Sequence, residues 1–177
     1  MIELLEAVKN FTKSTLDGIS LDNRGGGTAS PVFNAHTATL TRERQEPRAE
    51  DFPLIVVRLL DSVDENVDEL TDPTIATVQI IIGVWSENMH AGGYIDICNC
   101  LTRMRHELLS SSVLAQKFKL TGKMEARPFE EFADPFWFGE IITRWEIQRS
   151  VPVIMPGDDW RGASYPGEVK NDKGVKI

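Results

Sequence analysis

The stretch TIATVQIIIGVW (Thr74–Trp85) decides the fold of this chain. Side chains of an extended strand alternate between its two faces. One face of this stretch therefore carries only apolar side chains, namely those of Ala76, Val78, Ile80, Ile82 and Val84. The other face is mixed, with Ile75, Thr77, Gln79, Ile81, Gly83 and Trp85. This pattern predicts a strand with one face in the core and the other partly covered or shared.

An amphipathic helix is predicted directly downstream, in YIDICNCLTRMRHELL (Tyr94–Leu109). Its apolar residues recur at intervals of three and four, which places them on one stripe of a helix. The stripe consists of Tyr94, Ile97, Cys98, Leu101, Met104 and Leu108. A strand with one apolar face and a helix with one apolar stripe form the smallest unit that shields itself from water.

Upstream of this unit the sequence predicts one helix and one strand. Residues Met1–Thr15 carry apolar side chains at helical spacing, with lysines late in the segment, as the helix dipole favours. PLIVVRLL (Pro53–Leu60) is almost continuously apolar and rich in β-branched residues, which is typical of a central strand covered on both faces. The acidic residues 61–73 would join it to the Thr74 strand as a hairpin.

Downstream of the helix we expect further strands. Gln116–Glu131 is predicted to form a hairpin that turns at Thr121–Gly122. Phe136–Ile154 is predicted to form the last long strand, with Ile141, Thr143 and Trp145 on one side. Gly139 near its start indicates a bulge or a close approach of another element.

These elements predict a single α+β domain over residues 1–156. We expect an antiparallel or mixed sheet of four to five strands packed by two main helices. Residues 24–51, which contain three consecutive glycines and a densely charged run, are expected to form a long mobile loop with a short extended segment at Val32–Leu40. Residues 157–177 lack periodicity and are expected to form a flexible C-terminal arm.

Length, charge and cysteine content limit the functional classes. The 177 residues carry a formal net charge of −8, which argues against a general phosphate-binding surface. Cys98 and Cys100 are the only cysteines, and on a helix they project about 200° apart, so we expect neither a mutual disulfide nor a shared metal. A reducing compartment suits them. With no signal-peptide pattern and no long apolar run, we expect a cytoplasmic origin and no membrane span.

Motifs for catalysis or metal binding are weak. The acidic run 61–72 lacks the spacing and central glycine of a calcium loop. His36, His90 and His106 lie in no HExxH or Cys/His pattern. No GxSxG elbow is present, and Cys98 on the apolar stripe is expected to be a buried, unreactive thiol. The glycines after Arg24 lack the remainder of a phosphate loop. We therefore expect no catalytic residue, metal or cofactor.

The aromatic residues are the remaining signal, and they admit two interpretations. One is packing within the core and the sheet. The other is an assembly surface, because Trp and Phe with few charges are typical of the buried centres of interfaces. The candidate interface residues are Trp85, Phe136, Trp137, Phe138 and Trp145.

A family resemblance gives the second interpretation a specific form. GGYIDICNCLTRMRHELLSSSVLAQKFKL followed by DPFWFGEIITRWEIQRSVP resembles the small tail terminator proteins of long-tailed bacteriophages and prophages. The shared features are a Gly-Tyr/Asp helix start, regularly spaced Ile and Leu, and an aromatic-Gly-Glu-Ile strand at Phe138–Ile141. The resemblance covers about Pro53 to Pro152, and it departs before Pro53 and after Pro156.

The resemblance implies a mixed α/β fold and a homohexameric ring. Such a ring closes the head-proximal end of the tail tube, stops tube polymerisation and presents the surface that the neck proteins join. The implied partners are further copies of this chain, the tail tube protein and a head–tail connector protein. The implied location is the virion tail, after assembly in the host cytoplasm.

An acidic chain suits a conduit through which DNA passes without specific binding. Six copies would carry a formal charge of about −48, six times −8, and a negative wall repels phosphates. We expect channel-facing carboxylates within the acidic run or at Glu130–Glu131. The candidates in the acidic run are Asp61, Asp64, Glu65, Asp68, Glu69 and Asp72.

Three alternatives stay open at this stage. A neck or head-completion subunit of the phage connector would bind the portal-side ring instead of tube ends. A small metal-dependent hydrolase or nuclease would use carboxylates of the acidic run to hold its metal. A ligand-binding module would need a buried pocket with convergent polar groups.

Overall fold

A computed structural model describes residues 1–21, 32–37, 48–64, 73–86, 92–130 and 135–147. Two helices and six strands occur in these ranges. In chain order they are α1 (Ile2–Leu16), β1 (Asn34–Thr37), β2 (Leu54–Asp64), β3 (Thr74–Trp85), α2 (Gly92–Ser110), β4 (Val113–Leu114), β5 (Phe118–Pro128) and β6 (Phe136–Ile147). A short 3-10 turn at Ala49–Asp51 precedes β2.

The strands form one mixed, curled sheet in the order β1-β2-β3-β6-β5-β4. The β1–β2 pair is parallel and the other pairs are antiparallel. The predicted α+β class with two helices is confirmed, but the sheet has more strands than the four to five expected. The additional pairing comes from β4, whose two residues are too few to show any periodicity.

Both helices contact each other and pack on the same face of the sheet, which we call the helix face. The apolar residues of β3 that were predicted to face the core are at most 1% exposed, so this prediction is confirmed. Leu4, Val8 and Leu16 of α1 and Ile97, Met104 and Leu108 of α2 complete one continuous core with them. We call the opposite side of the sheet the outer face.

The start of α2 packs closely against the sheet, which the spacing of its apolar residues did not predict. Gly93 is buried against Trp137, and a Cβ on Gly93 would overlap the indole ring. A Cβ on Gly139 would lie 2.7 Å from Ile97 Cγ2, so the close approach predicted at Gly139 is confirmed. With α2 packed in this way, its buried side includes Asp96 and Cys100.

Two strand predictions were wrong in detail. Thr121–Gly122 is not a hairpin turn, because β5 continues through it with a bulge in which three residues oppose one residue of β6. Gly122, at φ +67°, gives the bulge its left-handed position. The chain reverses instead at Ala115–Gln116, both with positive φ, where the Lys117 N–H donates to the Leu114 carbonyl at 3.0 Å.

The prediction that Pro53–Leu60 is covered on both faces was also wrong. Ile55 and Val57 are buried on the helix face, whereas Val56 on the outer face is half-buried and Arg58 is exposed. The two innermost strands are β3 and β6. The apolar run therefore predicted a strand correctly, but its outer side chains are only partly covered or exposed.

The expected loop 24–51 contains ordered parts. Phe33 is buried, Lys13 Nζ donates to its carbonyl at 2.9 Å, and β1 lies within the extended segment expected at Val32–Leu40. Residues 24–31 and 38–47 lie outside the described residues, as does the expected arm 157–177.

Candidate interaction surface

The outer face of the sheet is the candidate functional site. Register places alternate residues of β2, β3, β6 and β5 on it, and neither described helix lies over it. One end of this face is aromatic and the middle is polar and charged. The sequence produces this division because the outward positions of β6 change from Phe136 and Phe138 to Glu140 and then Arg144.

The aromatic end consists of four half-buried phenylalanines, which we call the aromatic cluster: Phe52, Phe129, Phe136 and Phe138. The ring centroid of Phe52 lies 5.0 Å from that of Phe136 and 5.6 Å from that of Phe138. The Phe129 and Phe138 centroids are 6.4 Å apart. These separations are normal for interacting aromatic pairs.

Gly83 of β3 makes room for the aromatic cluster. A Cβ at this position would lie 2.8 Å from Phe52 Cε1 and 2.9 Å from Phe138 Cε1. The two rings therefore rest directly on the backbone of β3. Glycine at this point of a central strand is explained by close packing and not by an unusual backbone angle.

A polar chain crosses the middle of the outer face through four adjacent strands. Arg58 of β2 donates to the Gln79 side-chain oxygen, and the Gln79 amide donates to Glu140 Oε2. Arg127 Nε of β5 donates to Glu140 Oε1 at 2.6 Å. Gln79 and Glu140 are buried, the latter 3% exposed, so both donors compensate for removal of the carboxylate from water.

Other charged groups surround this polar chain. Arg144 is exposed in the same row of the sheet as Thr77 and Asp61. Lys119 lies 3.8 Å from Glu146. A hydrogen bond from Lys123 at 2.8 Å and the charge of this lysine lower the pKa of Glu125, with smaller effects from Arg127 and Arg144.

The five candidate interface aromatics divide between the two faces. Phe136 and Phe138 belong to the aromatic cluster, and Trp85, half-buried, is paired with Phe136 across the β3–β6 ladder. Trp137 lies on the helix face against α2, and Trp145 is fully buried there. The Trp145 Nε1–H donates to Thr143 Oγ1 at 2.9 Å, and the Thr143 hydroxyl donates to the Val78 carbonyl at 3.1 Å. Core packing therefore describes Trp145.

The candidate channel carboxylates are only partly described. Asp61 and Asp64 are exposed on β2, where Asp64 Oδ1 accepts a hydrogen bond from Thr74 Oγ1 at 2.5 Å. The strand thus extends further into the acidic run than predicted. Glu130 is exposed after β5. The others, Glu65, Asp68, Glu69, Asp72 and Glu131, lie outside the described residues. A channel position stays a prediction for all of them.

Of the two cysteines, Cys100 is the buried one, whereas burial was expected for Cys98. Cys100 is fully buried, and desolvation raises the pKa of its thiol to about 12, with a further increase from the charge of Asp96. Cys98 is half-buried at the border of the stripe, so the expectation of a buried Cys98 was wrong. The reason is the rotation of α2 toward the sheet described above.

We expect one fast-reacting thiol in the folded protein at pH 8. Cys98 should react with a thiol reagent, whereas Cys100 should react at least about a thousandfold more slowly, because it requires unfolding. A Cys98→Ser variant should lose the fast phase, and Cys100→Ser should keep it. Fast labelling in Cys98→Ser would contradict the assignment.

The raised pKa of Cys100 also makes the free energy of unfolding depend on pH. Between the ordinary thiol pKa of 9.0 and the raised pKa of about 12, the folded state keeps the Cys100 thiol proton, whereas the unfolded state releases it. This contribution to the free energy of unfolding is present below pH 9 and is lost as pH rises through that window.

The remaining candidate chemistry does not converge on a site in the described part of the chain. His36 and His106 are exposed on β1 and α2, and His90 lies outside the described residues. Within those residues, no three His, Cys, Asp or Glu side chains are grouped closely enough to hold a metal ion. Neither described helix combines the length and the apolar content needed to cross a membrane.

No protein-family model and no curated protein matches this chain.

Sequence reasoning missed several residues of this surface. Phe52 lies just before the strand predicted at Pro53–Leu60, and Phe129 lies near the end of the hairpin predicted at Gln116–Glu131. Nothing in their immediate sequence places them beside Phe138. Gln79 and Glu140 were each assigned to the less apolar side of their strands. The available signal was that both side chains point away from the apolar face of their strands. Pairing Gln79 with Glu140 also required the register of β3 against β6.

Proposed function

We propose that this chain is a structural subunit of a phage tail terminator ring. Copies of it cap the head-proximal end of the tail tube, end tube polymerisation and present the surface for head–tail joining. The proposal combines the resemblance over Pro53 to Pro152 with one structural observation, the aromatic cluster on a sheet face that neither described helix covers.

The outer face has the composition of an association surface. Half-buried phenylalanines stand at one end of the face, and Val63, 52% exposed, is at the other. Association is favoured when a partner removes apolar side chains on a sheet face from water. The central polar chain fixes hydrogen-bonding groups between them, which gives such a contact orientation as well as affinity.

The proposal includes the partners and the location. The chain contacts further copies of itself, the tail tube protein and a connector protein, and DNA passes through the ring without specific binding. It acts in the virion tail and is not an enzyme. The net charge of −8 supports passage of DNA, because a negative wall repels phosphates.

Capping of tail tubes tests this proposal. Purified protein should form a closed ring by native mass measurement, or at tube ends by electron microscopy, and should stop elongation of polymerising tubes. Phe138→Ala should weaken assembly about tenfold or more, because it removes the ring at the centre of the aromatic cluster. The readout is the protein concentration at which half of the tube ends are capped.

Tyr94→Ala is the matched control, since Tyr94 is a partly exposed aromatic residue on α2, in the helix layer. It should cap tubes as the wild type does. Thermal unfolding of both variants would show that each is folded. Binding to a portal-side ring in place of tube ends would assign the chain to the neck instead. A solitary protein that ignores tube ends and cleaves nucleic acid in the presence of a divalent cation would overturn the proposal.

A further inference from the structure

We infer that the edge of β5 prevents a further strand from pairing with it, so that copies of this chain do not associate by extending the sheet at this side. The inference rests on strand geometry and does not depend on the proposed ring. An edge strand exposes N–H and C=O groups with which a strand of another chain can pair. Such pairing adds copy after copy to a sheet and leads to fibres.

Most of β5 lies at the edge of the sheet. β4 pairs with Phe118 and Lys119, and the Leu120 N–H donates to the Ser112 carbonyl at 2.7 Å. Over Thr121–Pro128, β5 pairs with β6 on one side and, in the described part of the chain, with no strand on the other. We call Thr121–Pro128 the open edge. Three of its features hinder the addition of a strand.

The first feature is the bulge inside the open edge. Between Thr121 and Glu125, three residues of β5 oppose one residue of β6, Thr143. Regular strands pair residue for residue, so an added strand could stay in register on only one side of the bulge. A bulge also increases the local twist, which turns the edge away from a straight partner.

The second feature is Pro128, at the end of the open edge. The Phe129 N–H donates to the Phe138 carbonyl at 2.9 Å, which directs it toward β6. Backbone groups of successive residues point to opposite sides of a strand, so the nitrogen of Pro128 faces the open side. Since proline has no N–H, an added strand would keep one carbonyl without a donor, which is unfavourable where water is excluded.

The third feature is the charge of Lys123 within the bulge. The Lys123 side chain is 79% exposed, and it forms an ion pair with Glu125 at 2.8 Å. An added strand would cover part of this side chain and remove water from its ammonium group. The bulge, the proline and the lysine hinder pairing by three different means along one strand edge.

Amide hydrogen exchange tests whether the edge is open in the wild type. By the same alternation, the Ala126 amide faces the open side and the Arg127 amide faces β6. We expect the Ala126 amide to exchange at least about a hundredfold faster than the Arg127 amide. Equal protection of the two amides would show that another part of the chain or another copy covers this edge, and the inference would be wrong.

Restoring a regular strand edge tests the bulge and the proline directly. Deletion of Gly122 and Lys123 leaves one residue, Met124, opposite Thr143, and both side chains already lie on the helix face. Combined with Pro128→Val, the deletion gives β5 regular spacing and supplies the missing N–H. This variant should associate at a concentration at least about tenfold below that of the wild type, as measured by sedimentation.

A second variant keeps the length of the chain, in case the deletion prevents folding. Lys123→Val with Pro128→Val retains the bulge, removes the charge and supplies the N–H, so it should associate at a concentration about threefold or more below that of the wild type. In both variants the Ala126 amide should become protected on association, because a carbonyl of the added strand accepts from it.

Arg105→Val is the matched control, because it removes one positive charge and adds one apolar side chain on the exposed side of α2. It should associate as the wild type does. If the edge variants fold and associate no more readily than the wild type, or associate with the Ala126 amide still unprotected, the inference is wrong. None of these measurements uses tail tubes, so a failure of tube capping would overturn the proposed function and leave the inference standing.

Discussion

Replacing Trp145 with alanine is expected to lower the free energy of unfolding by about 3–5 kcal/mol. Among the residues that the structure describes, Trp145 is the largest fully buried side chain, and it packs on the helix face among the residues of the central core. Its loss removes dispersion contacts and leaves a cavity. It also removes the N–H that donates to Thr143 Oγ1. In a chain of this size the unfolding midpoint should fall by about 6–20 °C.

Trp145→Phe is the milder comparison. It keeps an aromatic ring but loses the indole donor and part of the ring volume, so its cost should be about 1–3 kcal/mol. Both variants should be measured by urea unfolding at a protein concentration below that of assembly. If the alanine variant unfolds like the wild type but assembles poorly, Trp145 acts in the subunit interface, as the sequence analysis suggests, and not in the core.

Replacing Arg127 with alanine is expected to cost about 2 kcal/mol of folding free energy. Glu140 would keep its amide donor from Gln79 but lose the guanidinium 2.6 Å away, leaving a carboxylate that is 3% exposed without its counter-charge. Removal of one partner of a deeply buried pair costs more than this. The Arg127 side chain is 69% exposed, so water replaces part of what it supplied.

Arg144→Ala is the matched control for this prediction. Both arginines point outward from the same sheet face, but only Arg127 holds a buried carboxylate. Arg144→Ala should therefore change stability by less than about 0.5 kcal/mol. Adding Glu140→Gln to the Arg127→Ala variant should recover about half of the loss, because a neutral amide needs no counter-charge. Equal effects of the two arginines would contradict the stabilising role assigned to the contact between Arg127 and Glu140.

The sequence predicted the elements with strong periodicity and failed where periodicity was short or absent. The apolar face of β3 and most of the α2 stripe followed from spacing alone, because each position repeats the same requirement for burial. The β4–β5 turn did not, since Ala115 and Gln116 are not residues that favour positive φ. Gly122 did signal a left-handed position, but a bulge and a hairpin turn use such a glycine equally well.

The candidate site was predictable only in part, for a related reason. Aromatic residues at Phe136 and Phe138 were recognised as a surface candidate, and the structure places both on the outer face. Trp145, seven residues after Phe138, has the opposite parity along β6 and therefore enters the core. The positions of aromatic residues in the sequence do not separate core residues from surface residues until the covered face of the strand is known.

The sequence by itself determined that the chain has a strand with one wholly apolar face, two amphipathic helices and an α+β fold. These are local properties, because side-chain direction follows from the backbone repeat of each element. Only the tertiary structure decided which sheet face neither described helix covers, that Gln79 and Arg127 meet at Glu140, and that Cys100 is buried in place of Cys98. Strand register and helix rotation are set by contacts between distant parts of the chain, and no periodicity within a single element contains them.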